Sequence, residues 1–322
     1  MATRAKDVDA GSRLDVYGTV GRPEWMDVDW PQYLRWVAVN GRRVNVLEIG
    51  DGPPLLFVHG LSGCWQNWLE NIPFFARDHR VIAVDLPGFG ESEMPAEDIS
   101  MSAYAATIDA LLDELGVDAV RLVGNSMGGF VGAELAIRYP ARVERLVLVS
   151  AAGISLDKIR TQRTHGLRHR AENVAFFSLG WLATQTNAVT GRPKLREHLL
   201  RLVAAHPARL SAPLIAEQVA GTGKPGFIPA LDAMLSYPLR DRLEQIACPT
   251  FIVWGDKDLL VPVRDASEFE RLIPDSRKAI YKDTGHVPMF ERPARFNADV
   301  HAFLQEQPGE EEPAPQPRSF AT

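Results

Sequence analysis

The sequence predicts an α/β fold: a mostly parallel central sheet flanked by helices, with a helical insertion between two of its strands. Three observations predict it. Short apolar runs without alternation recur along the chain, which suits strands buried on both faces. Amphipathic helical patterns lie between those runs, the rhythm of strand–helix–strand units. The rhythm breaks once, between about Gly153 and Pro238, and then resumes.

The elements follow in order. Residues 1–30 are polar, with several Gly, Pro and Asp, and read as an N-terminal arm. Trp25, Trp30, Tyr33 and Trp36 are expected to pin part of this arm to the body. Residues 33–39 and 43–49 are strand-like and flank Asn40-Gly41, the signature of a hairpin with a primed turn. Apolar runs at 55–58, 81–84, 120–123, 146–149 and 251–254 are the expected buried strands, and 278–281 is a further short one. Helical spacing predicts helices over 102–115, starting at the cap residue Ser102, over 127–139, ended by Pro140, and over 263–272. A closing helix carries His301. The insertion holds Arg160, Arg163, Arg168 and Arg170, then aromatic residues, then helical patterns at 195–205 and 210–219. The expected organisation is therefore an arm (1–30), a core in two parts (31–153 and 238–305), an intervening helical cap (154–237), and an acidic, proline-rich tail (306–322) expected to be disordered.

Composition bounds the function. The 322 residues are 46% hydrophobic and 24% charged, as in an ordinary globular protein. A net charge of -6 argues against a nucleic-acid partner, whose usual footprint is a basic face. Cys64 and Cys248 are too few and too far apart for a disulfide framework or a metal site, and read as two reduced thiols. The first residues contain no apolar signal region, and no window reaches the roughly 18 apolar residues of a membrane span. The expectation by default is a cytoplasmic protein.

The chemistry sits in the segment from Val120 to Phe130, a buried strand running into a helix. Gly124, Ser126 and Gly128 fit G-x-S-x-G. A sharp strand-to-helix turn there holds the serine in a strained backbone and exposes its hydroxyl. The Met127 N–H, at the helix start, is a candidate oxyanion donor. A serine hydroxyl needs a base, and the chain order for such a turn is serine, acid, histidine. His286 follows a strand and a glycine and is the candidate base. Asp256 and Asp258 compete for the acid; Asp283 is expected in local turn hydrogen bonding. The loop His59-Gly60-Leu61-Ser62-Gly63 follows the first parallel strand, and its Leu61 N–H is the candidate second donor. His59 is expected to support that loop from below. Asp85, in a Pro- and Gly-containing loop, is expected to bind backbone N–H groups.

From about Tyr33 to Leu304 these motifs resemble the α/β-hydrolase superfamily. The matching residues are His59-Gly60, the run Asp85 to Ser92, Gly124 to Gly129, Gly255 to Asp258, and Gly285-His286. The resemblance implies a serine hydrolase with Ser126, Asp258 and His286 as catalytic triad. Asp258 is implied by its place, third after Gly255 and four before Pro262. Leu61 and Met127 would form the oxyanion hole, and no cofactor or metal is implied. The elbow Gly-Asn-Ser-Met-Gly-Gly is also similar to that of carbon–carbon bond hydrolases acting on ring-fission products. The loop His-Gly-Leu-Ser-Gly and Val287 after the histidine depart from that group and suit carboxylesterases and monoacylglycerol-lipase-like enzymes.

The expected reaction is hydrolysis of a small-molecule ester with a small or medium acyl chain. Ser62, Phe176, Phe177, Trp181, Leu214, Ile215, Phe227 and Val287 are the candidate substrate contacts. Two other readings compete: carbon–carbon hydrolysis, which needs a cationic residue for the substrate carboxylate, and a ligand-binding receptor on a hydrolase scaffold.

Overall fold

The computed structural model of the protein describes residues 15–155, 194 and 200–306. Among them lies a sheet of eight strands: β1 (Leu34–Val39), β2 (Arg42–Ile49), β3 (Pro54–Val58), β4 (Arg80–Val84), β5 (Val120–Asn125), β6 (Val143–Val149), β7 (Thr250–Gly255) and β8 (Ser276–Tyr281). Their order across the sheet is β1-β2-β4-β3-β5-β6-β7-β8. The β1/β2 and β2/β4 pairs are antiparallel, and every other pair is parallel. The β1–β2 hairpin turns through Asn40 and Gly41, both at positive φ (51° and 73°), as a primed turn demands.

The apolar runs lack a polar face because both faces of the sheet are covered. Leu56, Val58 and Ile82 point into one apolar cluster with Ile108, Leu112, Phe130 and Phe269. Their neighbours Leu55, Phe57 and Val81 point into the opposite cluster with Phe296, Val300 and Phe303. The first face is covered by α1 (Met101–Glu114), α2 (Met127–Arg138) and α5 (Arg264–Leu272), with α4 (Phe227–Ser236) beside them. The second is covered by α7 (Pro293–Gln305) and the short α6 (Pro288–Glu291) before it, with α3 (Ala212–Ala220). The described residues between β6 and β7 include α3, α4 and 3-10 segments at Pro207–Arg209 and Arg240–Gln245. No helix among the described residues is long and apolar enough to cross a membrane.

Two expectations are corrected here. Helix α1 starts at Met101, not at Ser102: the extended Ser100 is the cap, its hydroxyl accepting from the Ala103 N–H at 3.0 Å. Trp36 pins nothing. It lies on edge strand β1, where the two-residue period sends Val37 and Val39 inward, and it stays 48% exposed under the Arg43 guanidinium. Trp25 does anchor the arm: it is 6% exposed, and its indole N–H donates to Glu70 Oε1 at 3.1 Å.

The two tryptophans should therefore separate in urea denaturation. Trp25→Ala is expected to cost about 3–5 kcal/mol as a buried large-to-small change. Trp36→Ala is expected to cost no more than about 1 kcal/mol, the worth of an exposed cation–π contact.

Candidate active site

The residues singled out by the sequence meet at one edge of the sheet, beyond the carboxyl ends of the parallel strands. Ser126 follows β5, the His59 loop follows β3, Asp258 follows β7 and His286 follows β8.

Ser126 has φ 54° and ψ -113°, a region that L-residues avoid. Three backbone hydrogen bonds hold it there. Its N–H donates to Val149 O, and its carbonyl accepts from the Ala152 and Phe130 N–H groups. The chain passes closely at this turn: a Cβ on Gly128 would stand 2.1 Å from Val58 O. Met127 is the first residue of α2, so its N–H has no acceptor within the helix. The His59 loop lies directly against the turn, and a Cβ on Gly60 would come within 3.2 Å of the Ser126 Cβ.

His286 and Asp258 are bonded to each other, Nδ1 to Oδ2 at 2.9 Å. The other Asp258 oxygen accepts from the N–H groups of Leu260 and Val261, both at 2.9 Å. This divides the two competing aspartates. Asp256 turns away from the histidine, accepting from the Asp283 N–H at 2.7 Å, with the Lys282 ammonium 3.5 Å away. With Nδ1–H donated to the carboxylate, Nε2 of His286 is the basic nitrogen. The backbone of His286 is tied as well: its N–H donates to Val203 O at 2.8 Å, and its carbonyl accepts from the Asn125 side-chain amide at 3.3 Å.

Ser126 and His286 open on a common cavity of about 250 Å³. Its walls are mostly apolar, from Leu61, Leu210, Ile215, Val219, Phe227, Leu231, Met234, Leu260, Val287 and Phe290. Ser62, Asn67, Gln218 and Thr222 supply polar atoms. Of the candidate substrate contacts, Ser62, Ile215, Phe227 and Val287 line this cavity. Leu214 is corrected: it packs in the apolar cluster under α3, and the next residue, Ile215, reaches the cavity. Phe176, Phe177 and Trp181 lie outside the described residues, as do the arginines at 160–170.

The supporting polar groups are largely satisfied. His59 is fully buried and bridges two loops: Nε2 accepts from the Leu86 N–H at 3.0 Å, while Nδ1 bonds Gly60 O at 2.7 Å. Burial pushes its imidazole below the usual range, so it stays neutral in that role. Asp85 accepts from the Trp65 and Glu91 N–H groups and from the Asn45 amide. Asp283 is corrected: its carboxylate reaches across the fold to His206 Nε2 at 2.8 Å. Sequence reasoning passed over Asn125 and Glu291. Asn125 is a polar residue closing a buried strand. Glu291 is the single acid in an apolar stretch just after His286, and it is completely buried. An acid closing an apolar run was the available signal.

Residues 53–293 match the family model described as the alpha/beta hydrolase fold. The chain is 31% identical over 280 residues to an uncharacterized protein of Mycobacterium tuberculosis, covering 85% of this chain and 82% of that protein. It is 30% identical over 294 residues to a 2-hydroxymuconate semialdehyde hydrolase of a Pseudomonas species, covering 86% and 95%. A solved structure of a membrane phospholipase A, described as a bacterial virulence factor, superposes with a TM-score of 0.64 at 28% identity. It covers 84% of this chain and 85% of that one.

Replacing His59 tests the support beneath the loop. His59→Leu leaves the Leu86 N–H unpaired, costing about 1–3 kcal/mol if it stays buried, while the Gly60 carbonyl keeps only the Gly63 N–H at 3.0 Å. The melting temperature should fall accordingly.

Proposed function

The chain belongs to the α/β-hydrolase fold family, and on that premise we propose that it is a serine hydrolase cleaving carboxylic esters of small or medium acyl chain through an acyl-enzyme on Ser126. One observation carries this reading: the 2.9 Å bond between His286 and Asp258, on a histidine that shares its cavity with Ser126.

In the proposed reaction the Ser126 hydroxyl attacks the ester carbonyl while His286 Nε2 takes its proton. Asp258 holds the imidazole by Nδ1 and stabilises its charged form. The backbone donors on its second oxygen keep that carboxylate turned toward the histidine. The Leu61 and Met127 N–H groups stabilise the oxyanion. His286 returns the proton to the departing alcohol, leaving the acyl-enzyme. Water then attacks with His286 again as base, and the carboxylic acid leaves. The described residues between β6 and β7 act as a cap, in which Ile215, Val219, Phe227, Leu231 and Met234 offer an apolar seat for the acyl chain.

Likeness to the 2-hydroxymuconate semialdehyde hydrolase favours a second reading, hydrolysis of a carbon–carbon bond in a ring-fission product. Such a substrate bears a carboxylate. The loop His59-Gly60-Leu61-Ser62-Gly63, whose last four residues line the cavity, and Val287 after the histidine, which lines it too, support the ester reading over this one.

A panel of p-nitrophenyl esters set against a ring-fission dienoate separates the two: turnover of the esters is expected, and a dienoate hydrolysed far faster than any ester would overturn the proposal. Ser126→Ala should abolish labelling by a fluorophosphonate and lower kcat by a factor on the order of 10⁶. Asp258→Asn should lower kcat about 10⁴-fold, whereas Asp256→Asn should keep most of the activity.

A further inference from the structure

The loop carrying His286 is held from a direction that the proposed reaction does not use. Glu291 is completely buried, and its carboxylate receives only donors. The Gly285 N–H lies 2.9 and 3.0 Å from its two oxygens, and the Val287 N–H lies 3.3 Å from Oε1, so both neighbours of His286 are bound to one group. Oε2 also accepts from the Ala205 N–H at 2.8 Å and from the Tyr17 hydroxyl at 2.7 Å. Burial pushes the Glu291 carboxyl above its usual range, and these donors act against that by favouring the ionised form.

Tyr17 belongs to the N-terminal arm, outside the residues matched to the family. Its hydroxyl donates to Glu291 and accepts from the His206 N–H at 2.8 Å. The Gly18 N–H donates to the Glu291 backbone carbonyl at 2.7 Å. Arg292 donates to Asp15 O at 2.7 Å, and the Arg292 and Arg209 guanidiniums lie 5.1 and 4.7 Å from the centre of the Tyr17 ring. The arm is thus stitched across the back of the His286 loop. The Val203–Ala204 wall of the cavity joins the same network, through the Ala205 N–H and through the bond from the His286 N–H to Val203 O.

We propose that residues 15–18 form a strap which, through Tyr17 and the carboxylate of Glu291, positions His286 against Ser126 and Asp258. This rests on the serine-hydrolase reading. Tyr17 and Glu291 are positioning residues: they touch no reacting atom and act through the backbone on either side of the base. A hydroxyl at the end of this chain of contacts matters because small displacements of a catalytic group carry large rate penalties, about 10²-fold for 1 Å.

The test is Tyr17→Phe, which keeps the ring beside its two arginines and removes only the hydroxyl, with Glu291→Gln as second variant. Full-length proteins are compared by the rate and end point of fluorophosphonate labelling at Ser126, by kcat and KM on a p-nitrophenyl ester, and by melting temperature. Tyr17→Phe should label to completion at about one tenth of the wild-type rate, with kcat lower by the same factor and KM within about twofold. Glu291→Gln should move the same quantities further. Either variant, folded and labelled at the wild-type rate, would overturn the strap. So would a slower rate explained by a reduced labelled fraction, which marks loss of folded protein. A wild-type protein that is not labelled at Ser126 would sink the serine-hydrolase reading itself, a distinct result.

Discussion

The backbone at Ser126 is the constraint around which the rest is arranged. A non-glycine residue at φ 54° and ψ -113° is strained by about 1–3 kcal/mol, and nothing local relieves it. The strain persists because β5 enters the turn already fixed between β3 and β6, and α2 leaves it packed against both. The carbonyl of Ser126 is bonded by Ala152 after β6 and by Phe130 in α2, so two neighbouring elements hold the turn. The glycines beside the serine follow from the same crowding. Where the chain of α2 passes the end of β3, no side chain fits.

A rigid serine is useful only if its partners arrive at the same edge. The parallel sheet does this by topology: β3, β5, β7 and β8 all end on one side, so the loops after them converge although their residues are more than two hundred positions apart. Convergence brings segments together, and buried polar groups then set their angles. Asp258 binds two backbone N–H groups with one oxygen and His286 with the other. Asn125, next to the serine, binds the carbonyl of the histidine. His59 fixes the loop beside Ser126 to the loop after β4. Each is a case in which a buried polar atom must find a partner and, in finding one, sets a distance across the site.

Much of this was legible in the chain. The Asn-Gly turn, the apolar runs and the G-x-S-x-G segment between a strand and a helix rest on local physics, and each lies where the pattern predicts. What was misread depended on phase or on a distant partner. Ser100 and Ser102 are both good caps, and the choice turned on which backbone was extended. Leu214 and Ile215 are chemically alike, and one residue of helical rotation decides which meets the cavity. Trp36 has the side chain of an anchor but the strand position of a surface residue.

The sequence by itself determined the strand–helix order, the two-sided burial of the sheet, the strained serine turn, and the short set of acids and histidines that could stand beside Ser126. These follow from neighbours within a few residues and from the periods of helix and strand. Only the tertiary structure decided that Asp258 and not Asp256 meets His286, that Asp283 belongs to His206, and that Glu291 gathers donors from Tyr17, Ala205, Gly285 and Val287. The reason is physical. A carboxylate's partner is fixed by direction and by exclusion from water, and both exist only once segments distant along the chain have closed around it.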